Sequence, residues 1–282
     1  MVQDATASKL ARALRSGQPA LVAEWVPAAA SDTDSLKRFA AALPPSLDAV
    51  VVAGNGVSAL AYSILLAADG IEPVLTLSTS DRNREALLSD ARGATLLGIK
   101  NALCLPGSDR SGETAASFDV DPTQLVQLLK SSDGPVSALL VGAEVYPQVR
   151  PLQLALIDAR KKVAAGAGFL ITQPVFDMAA FEEWMAAVRE EGIAGHVPIL
   201  AAAHALTSAD EAIASQRRRR IPDEVIARLQ GAADAAAEGF ALCAELAARL
   251  MSVEGVRGLY IRSTGRAEEV AEIIRRAGLR SA

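Results

Sequence analysis

Cysteine is nearly absent: only Cys104 and Cys243 occur among 282 residues, far apart and without metal-ligand spacing. That excludes a disulfide framework and a cysteine-built metal site, and Cys104, inside an apolar run, reads as a reduced core thiol, setting the expectation of a cytoplasmic protein. Aromatic residues make up only 4% against 51% hydrophobic in total, so the core must be built from Ala, Leu, Val and Ile. No stretch approaches the ~20 uninterrupted apolar residues of a membrane span. The N-terminal "MVQDATASKLARALRSGQ" is polar and mixed in charge, without the apolar region of a secretory signal. A basic excess is also missing: the net charge of -5 argues against a nucleic-acid partner, because neutralising phosphates needs a positive surface. A small-molecule ligand or a protein partner is left.

Eight short apolar runs are present, at 21–26, 49–53, 73–78, 102–105, 137–142, 168–173, 198–203 and 258–262. Segments with helical spacing separate them, such as 31–43, 82–98, 151–166 and 178–192, and the stretch 223–252 is long enough for two helices. Ser31, Asp32, Asp81 and Asp177 are placed to cap helices, and Gly98, Gly166 and Gly192 to end them. Strand alternates with helix throughout, and no Pro/Gly/Ser-rich linker divides the chain. An open doubly wound sheet would mark its first turn with a glycine-rich phosphate loop, whereas "AEWVPAAASDTD" contains no glycine. The expected architecture is therefore α/β, a (β/α)8 TIM barrel forming a single domain over 1–282, with 1–19 as an N-terminal helical extension.

An active site in such a barrel lies at the carboxyl ends of the strands. The polar residues there are Glu24, Asn55, Ser78, Thr79, Ser108, Asp109, Glu144, Gln173 and His204. Glu24 interrupts "LVAEWVP" where an apolar residue would suit a buried strand, and a carboxyl group among apolar neighbours suits a general acid. The alternative is that it points outward and meets a lysine or arginine. Gln173 ends the run "GAGFLITQPVFD" just before Pro174, which is expected to stop the sheet ladder. Its amide could face a ligand with amide-like edges or cap the backbone. Glu144, His196 and His204 read equally well as loop residues, and the run "QRRRRIP" at 216–222 as a solvated turn or a grip on phosphate.

Four segments, "AEWVP" (23–27), "SDRNREALLSDARGATLLGIKNALCLPG" (80–107), "RKKVAAGAGFLITQPVFD" (160–177) and "IPDEV" (221–225), closely resemble the methylenetetrahydrofolate reductase family of the bacterial catalytic-domain type. The likeness runs in order from about residue 20 to 280. It implies the same barrel, and reduction of 5,10-methylenetetrahydrofolate to 5-methyltetrahydrofolate by NAD(P)H, normally through bound FAD. Glu24 matches the catalytic glutamate that protonates toward N10, and Gln173 the glutamine on the pterin. Phe176 lies in the same segment and Arg266 falls on the substrate side. Ser78, Gly107, Ser108, Asp109 and Lys162 fall on the flavin side, and no metal is implied.

The chain also departs from that family. Thr76 stands where a strand-three histidine is usual, Ala53 and Gly54 replace polar residues after strand two, and in "PGSD" the carboxylate of Asp109 is displaced by one position. Three readings follow: a flavin enzyme with altered contacts, a flavin-free reductase on the same fold, and a folate-binding partner of a methyltransferase. The alanine-rich helices near 232–250 could also pack against a second copy. The lone acid sets the expectation that Glu24→Gln abolishes turnover while changing stability little.

Overall fold

The computed structural model describes residues 7–27, 32–54, 57–80, 82–107, 119–262 and 266–279. Its strands are β1 (Ala20–Trp25), β2 (Ala49–Val52), β3 (Pro73–Ser78), β4 (Asn101–Leu105), β5 (Leu140–Val145), β6 (Phe169–Pro174), β7 (Ile199–His204) and β8 (Val256–Arg262). Helix α1 (Lys9–Arg15) precedes β1. Then α2 (Thr33–Ala42), α3 (Ala59–Ala68), α4 (Arg84–Leu96), α5 (Pro122–Lys130) and α6 (Leu152–Ala164) follow β1 to β5 in turn. Helices α7 (Met178–Glu190) and α8 (Ile193–His196) follow β6, while α9 (Ala209–Arg219), α10 (Asp223–Gly231) and α11 (Ala235–Ser252) follow β7, and α12 (Ala267–Arg276) follows β8. The strands are parallel and close in chain order, β1 pairing with both β2 and β8, which makes the expected (β/α)8 barrel.

The helix punctuation largely follows the sequence. Asp32 and Asp177 accept the backbone N–H groups of Ser35 and Ala180, satisfying donors left open at a helix start. The helix over Arg84–Leu96 is capped by Asn83, which accepts from Ala86, while Ser31 and Asp81 lie outside the described residues. Gly98, Gly166 and Gly192 each take a positive φ just past a helix end.

Side chains alternate across the pleat, so each strand divides between the barrel lumen and the helix layer. On β1, Ala20 and Val22 join Val51, Leu103, Ile171 and Leu200 inside, while Leu21 and Ala23 pack outward under the helices. Glu24 therefore falls on the inward face. Helix α1 seals the far end with Leu10, Ala13 and Leu14 against this inner cluster. Phe169 is fully buried in the lumen, and its ring occupies the space where a Cβ on Gly142 would stand. Glycine at that position of β5 is what lets an aromatic ring fit inside a narrow barrel.

Two differences from the sequence reading bear on the mouth of the barrel. Residues 137–138 are not strand: Gly134–Ala138 forms a 3-10 turn, favoured by the positive φ of Gly134 and by Pro135, and β5 starts only at Leu140. Glu144 consequently sits within the strand and faces the lumen. Pro174 also does not stop β6. The register shifts between Ile171 and Pro174, and Pro174 pairs opposite Ala202. The hydroxyl oxygen of Thr172 accepts the Ala202 N–H at 2.9 Å and Val175 donates to the Ala202 carbonyl at 3.0 Å, so the ladder continues around the missing proline donor.

That bridging makes Thr172 a structural requirement. Thr172→Val keeps the shape but strands the buried Ala202 N–H, and should destabilise the protein by about 1–3 kcal/mol in urea unfolding, whereas an unchanged midpoint would show that the hydroxyl is dispensable.

Candidate active site

The lumen positions at the carboxyl ends of β5, β6, β7, β8 and β1 carry Glu144, Gln173, His204, Arg262 and Glu24. They are contiguous around the barrel and fall into three hydrogen-bonded sets. Glu24 does meet an arginine, but inside rather than outside: Arg262 donates from Nε to Glu24 Oε2 at 2.7 Å, with the two side chains 26% and 10% exposed. Tyr260, two residues before Arg262 and on the same face, also hydrogen-bonds Glu24; burial foremost, then the Glu24 charge, pushes its phenol well above the ordinary tyrosine range. Burial works against the Arg262 charge, yet Glu24, Tyr260 and Glu144 together hold it above the ordinary arginine value.

Across the mouth, Gln173 donates from Nε2 to Glu144 Oε2 at 3.2 Å, and the Tyr146 hydroxyl donates to the same oxygen at 3.1 Å. Burial first, then the Glu144 charge, raises Tyr146. Between these two sets lies a third. His204 Nε2 is 3.0 Å from Glu211 Oε1, and Glu211 also accepts from the backbone and hydroxyl of Thr207. Arg219 approaches the same carboxylate at 3.8 Å. Burial and then the nearby Arg262 charge lower Arg219 below the ordinary arginine value. Nδ1 of His204 and Nη1 of Arg219 are buried without a hydrogen-bond partner.

The opposite side of the mouth, at β2 to β4, is built differently. Thr76 donates its hydroxyl to the Val52 carbonyl at 2.7 Å, and Thr79 is tied to the carbonyl of Leu105. The hydroxyls of Ser78 and Ser80 pair with each other at 3.1 Å. Gly107, at φ +90°, lets the chain pass against those two serines, and any side chain there would collide with them. Asn55, Ser108 and Asp109 lie outside the described residues.

The remaining residues picked out in the sequence are dispersed. Lys162 is buried on α6, donates to Asp158 at 2.5 Å and stands 5.1 Å over the Tyr146 ring, so it reaches the mouth only through that ring. Phe176 is buried edge-on to His204, with ring centroids 6.4 Å apart. Arg266 precedes α12, is 67% exposed and pairs with Glu269. His196 bonds the carbonyl of Gly192 at the surface, away from the mouth. Cys104 and Cys243 are both free and buried, and burial raises both thiols, Cys243 to about 12. Among the described residues no helix is long and apolar enough to cross a membrane, and no three His, Cys, Asp or Glu gather as a metal site.

Sequence reasoning missed Arg262, Tyr260 and Glu211, and read Arg219 only as part of the arginine run at 216–222. The signal for Arg262 was available, since it is the polar residue ending the eighth apolar run, as Gln173 ends the sixth. Glu211 and Arg219 are carried on α9, and no strand-end rule reaches them.

Ionisable and amide groups gathered at the carboxyl ends of a closed parallel barrel define a barrel enzyme. The chain belongs to the methylenetetrahydrofolate reductase family, whose sequence model, described as methylenetetrahydrofolate reductase, matches residues 10–278. It is 25% identical over 258 residues to the 5,10-methylenetetrahydrofolate reductases of Salmonella typhimurium and Escherichia coli K12, the match spanning 88% of this chain and 85% of each relative. Among solved structures, tryptophan synthase from M. tuberculosis in its aminoacrylate-bound form superposes with a TM-score of 0.55 at 14% identity, covering 97% of this chain and 100% of that one. That likeness concerns the fold alone. The protein is thus an oxidoreductase of this family with a folate substrate.

The His204 contact, foremost, and the Thr207 backbone lower Glu211 from the ordinary 4.5 to about 2. A depressed carboxylate contributes stability above its unfolded value and loses it as pH falls toward its folded one. Wild type should therefore be more stable than Glu211→Gln above about pH 4.5, with the gap narrowing toward about pH 2. A gap in urea midpoints that stayed constant across that window would contradict the assignment.

Proposed function

We propose that this protein reduces 5,10-methylenetetrahydrofolate to 5-methyltetrahydrofolate, taking hydride from NAD(P)H. The observation that carries the reading is the position of Glu24: a carboxyl group facing the lumen at the mouth, on the same polar arc as the amide of Gln173. Gln173 can donate and accept along the pterin edge. His204 Nδ1 and Arg219 Nη1, buried without a hydrogen-bond partner, belong to the same side-chain cluster, and a polar ligand group reaching them would satisfy them.

In the chemistry, protonated Glu24 gives its proton to N10 of the substrate, the bond from N10 to the bridging carbon breaks, and the N5 lone pair forms the N5 iminium. Hydride from the nicotinamide then adds to the iminium carbon, which becomes the methyl group, and oxidised NAD(P) leaves. Water returns a proton to Glu24. The iminium is already electrophilic, so the chain's main tasks are supplying one proton and holding donor and acceptor at about 3–3.5 Å.

The resemblance implies FAD as an intermediate carrier, held by Ser78, Gly107, Ser108, Asp109 and Lys162. Among the described residues that donor set does not fit a flavin well. Thr76 spends its proton on Val52, Ser78 is engaged with Ser80, and Lys162 is held by Asp158 beneath Tyr146. Direct transfer from nicotinamide is therefore the reading this donor set favours.

Two measurements test the proposal. Glu24→Gln should lower folate-dependent NAD(P)H oxidation by roughly 10²–10⁴-fold per folded molecule. It should also lower stability, by less than the ~3–5 kcal/mol of a fully buried broken pair, because Arg262 loses its counter-charge while remaining partly exposed; this replaces the expectation of little change. Wild-type turnover in that variant would remove Glu24 from the mechanism. Purified protein should lack flavin absorbance and turn over equally with and without added FAD. A yellow protein whose activity requires FAD would restore the flavin route, and folate binding without any reductase activity would favour a binding role.

A further inference from the structure

Glu24 accepts a guanidinium hydrogen bond from Arg262, whereas the proposed reaction asks it to give up a proton, which only the protonated carboxyl group carries. Arg262 is positioned to govern that exchange. It closes β8 beside β1, where Val22 pairs with Tyr260 and Ala23 with Ile261, so its side chain projects into the lumen level with Glu24. The contact uses Nε at 2.7 Å. Tyr260 holds the same carboxyl group from the preceding lumen position. None of the functional residues implied by the family resemblance falls on either position.

We propose that Arg262 is a positioning residue for the reductase reaction: it fixes the aim of Glu24 and stabilises the carboxylate left behind when the proton passes to N10. This rests on the acid role proposed for Glu24. As the N10 bond breaks, negative charge develops on Glu24, and a fixed cation at hydrogen-bond distance stabilises that charge more than the neutral acid. The same contact disfavours the protonated donor, so activity as a function of pH records the presence of Arg262. Among the described residues, the other charged or titratable groups around the pair are Tyr260 on β8, His204 directly opposite Arg262 on β7, Glu144 on β5 and Arg219 on α9, which approaches Glu211.

The test is the pH dependence of kcat/KM for methylenetetrahydrofolate in wild type, Arg262→Gln and Arg262→Lys, alongside Glu24→Gln. Activity needs the protonated acid, so it falls as pH rises. Removing the cation should move that falling limb to higher pH, because the charge that favours the carboxylate over the acid is gone. Arg262→Gln should also lower kcat well below the limit set by protonation alone. Arg262→Lys retains the charge without the planar fork, and its limb should stay near wild type while kcat falls. Arg262→Gln should fold, because Glu24 can take up a proton and keep its Tyr260 bond; thermal midpoints check this. An unmoved limb in Arg262→Gln, or a limb in Arg262→Lys displaced as far as in the glutamine variant, overturns the inference. Full activity in Glu24→Gln would instead overturn the acid role itself, so the two failures are told apart.

Discussion

A carboxylate inside a barrel of alanine, valine and leucine is stable only if something compensates its charge, and here the compensation is Arg262. Removing an unpaired charge from water is so unfavourable that the group would neutralise instead. The remainder of the mouth follows from this pair. Tyr260 can be buried because its hydroxyl hydrogen-bonds Glu24, and Arg219 stands close to Arg262 because Glu211 lies near enough to offset the repulsion. The fold supports the pair by parallel pairing of β1 with β8, the first and last strands of the chain, so a contact across 238 positions becomes a contact between neighbours.

The mouth is also lopsided. Groups able to bond a ligand run from β5 through β8 to β1, while at β2 to β4 the described side chains are small or committed to the backbone. In the proposed reading, that division separates two tasks. The polar arc is suited to clamp and protonate a pterin. On the other side the described polar side chains are already engaged with the backbone or with each other, which is the basis for preferring direct hydride transfer in the proposed reading.

The strand and helix order was legible in the sequence because parallel strands buried on both faces appear as plain apolar runs, and their spacing admits few architectures. Glu24 and Gln173 were legible for the complementary reason: each breaks such a run at the end where barrels carry chemistry. The limits were equally physical. Pro174 looked like a terminator because local propensity cannot anticipate that the Thr172 hydroxyl will take over a ladder bond. Glu144 looked like a loop residue because the 3-10 turn ahead of β5 displaced the strand by three positions. The partner of Glu24 was hidden by distance along the chain, since only barrel closure brings β8 beside β1.

The most direct test of the account is a structure of the protein with 5-methyltetrahydrofolate bound. The account predicts the pterin edge on Gln173 and N10 within hydrogen-bonding reach of Glu24, inside the polar arc of the mouth. A pterin seated elsewhere, or one touching Gln173 while Glu24 remains locked to Arg262 and out of reach of N10, would contradict it.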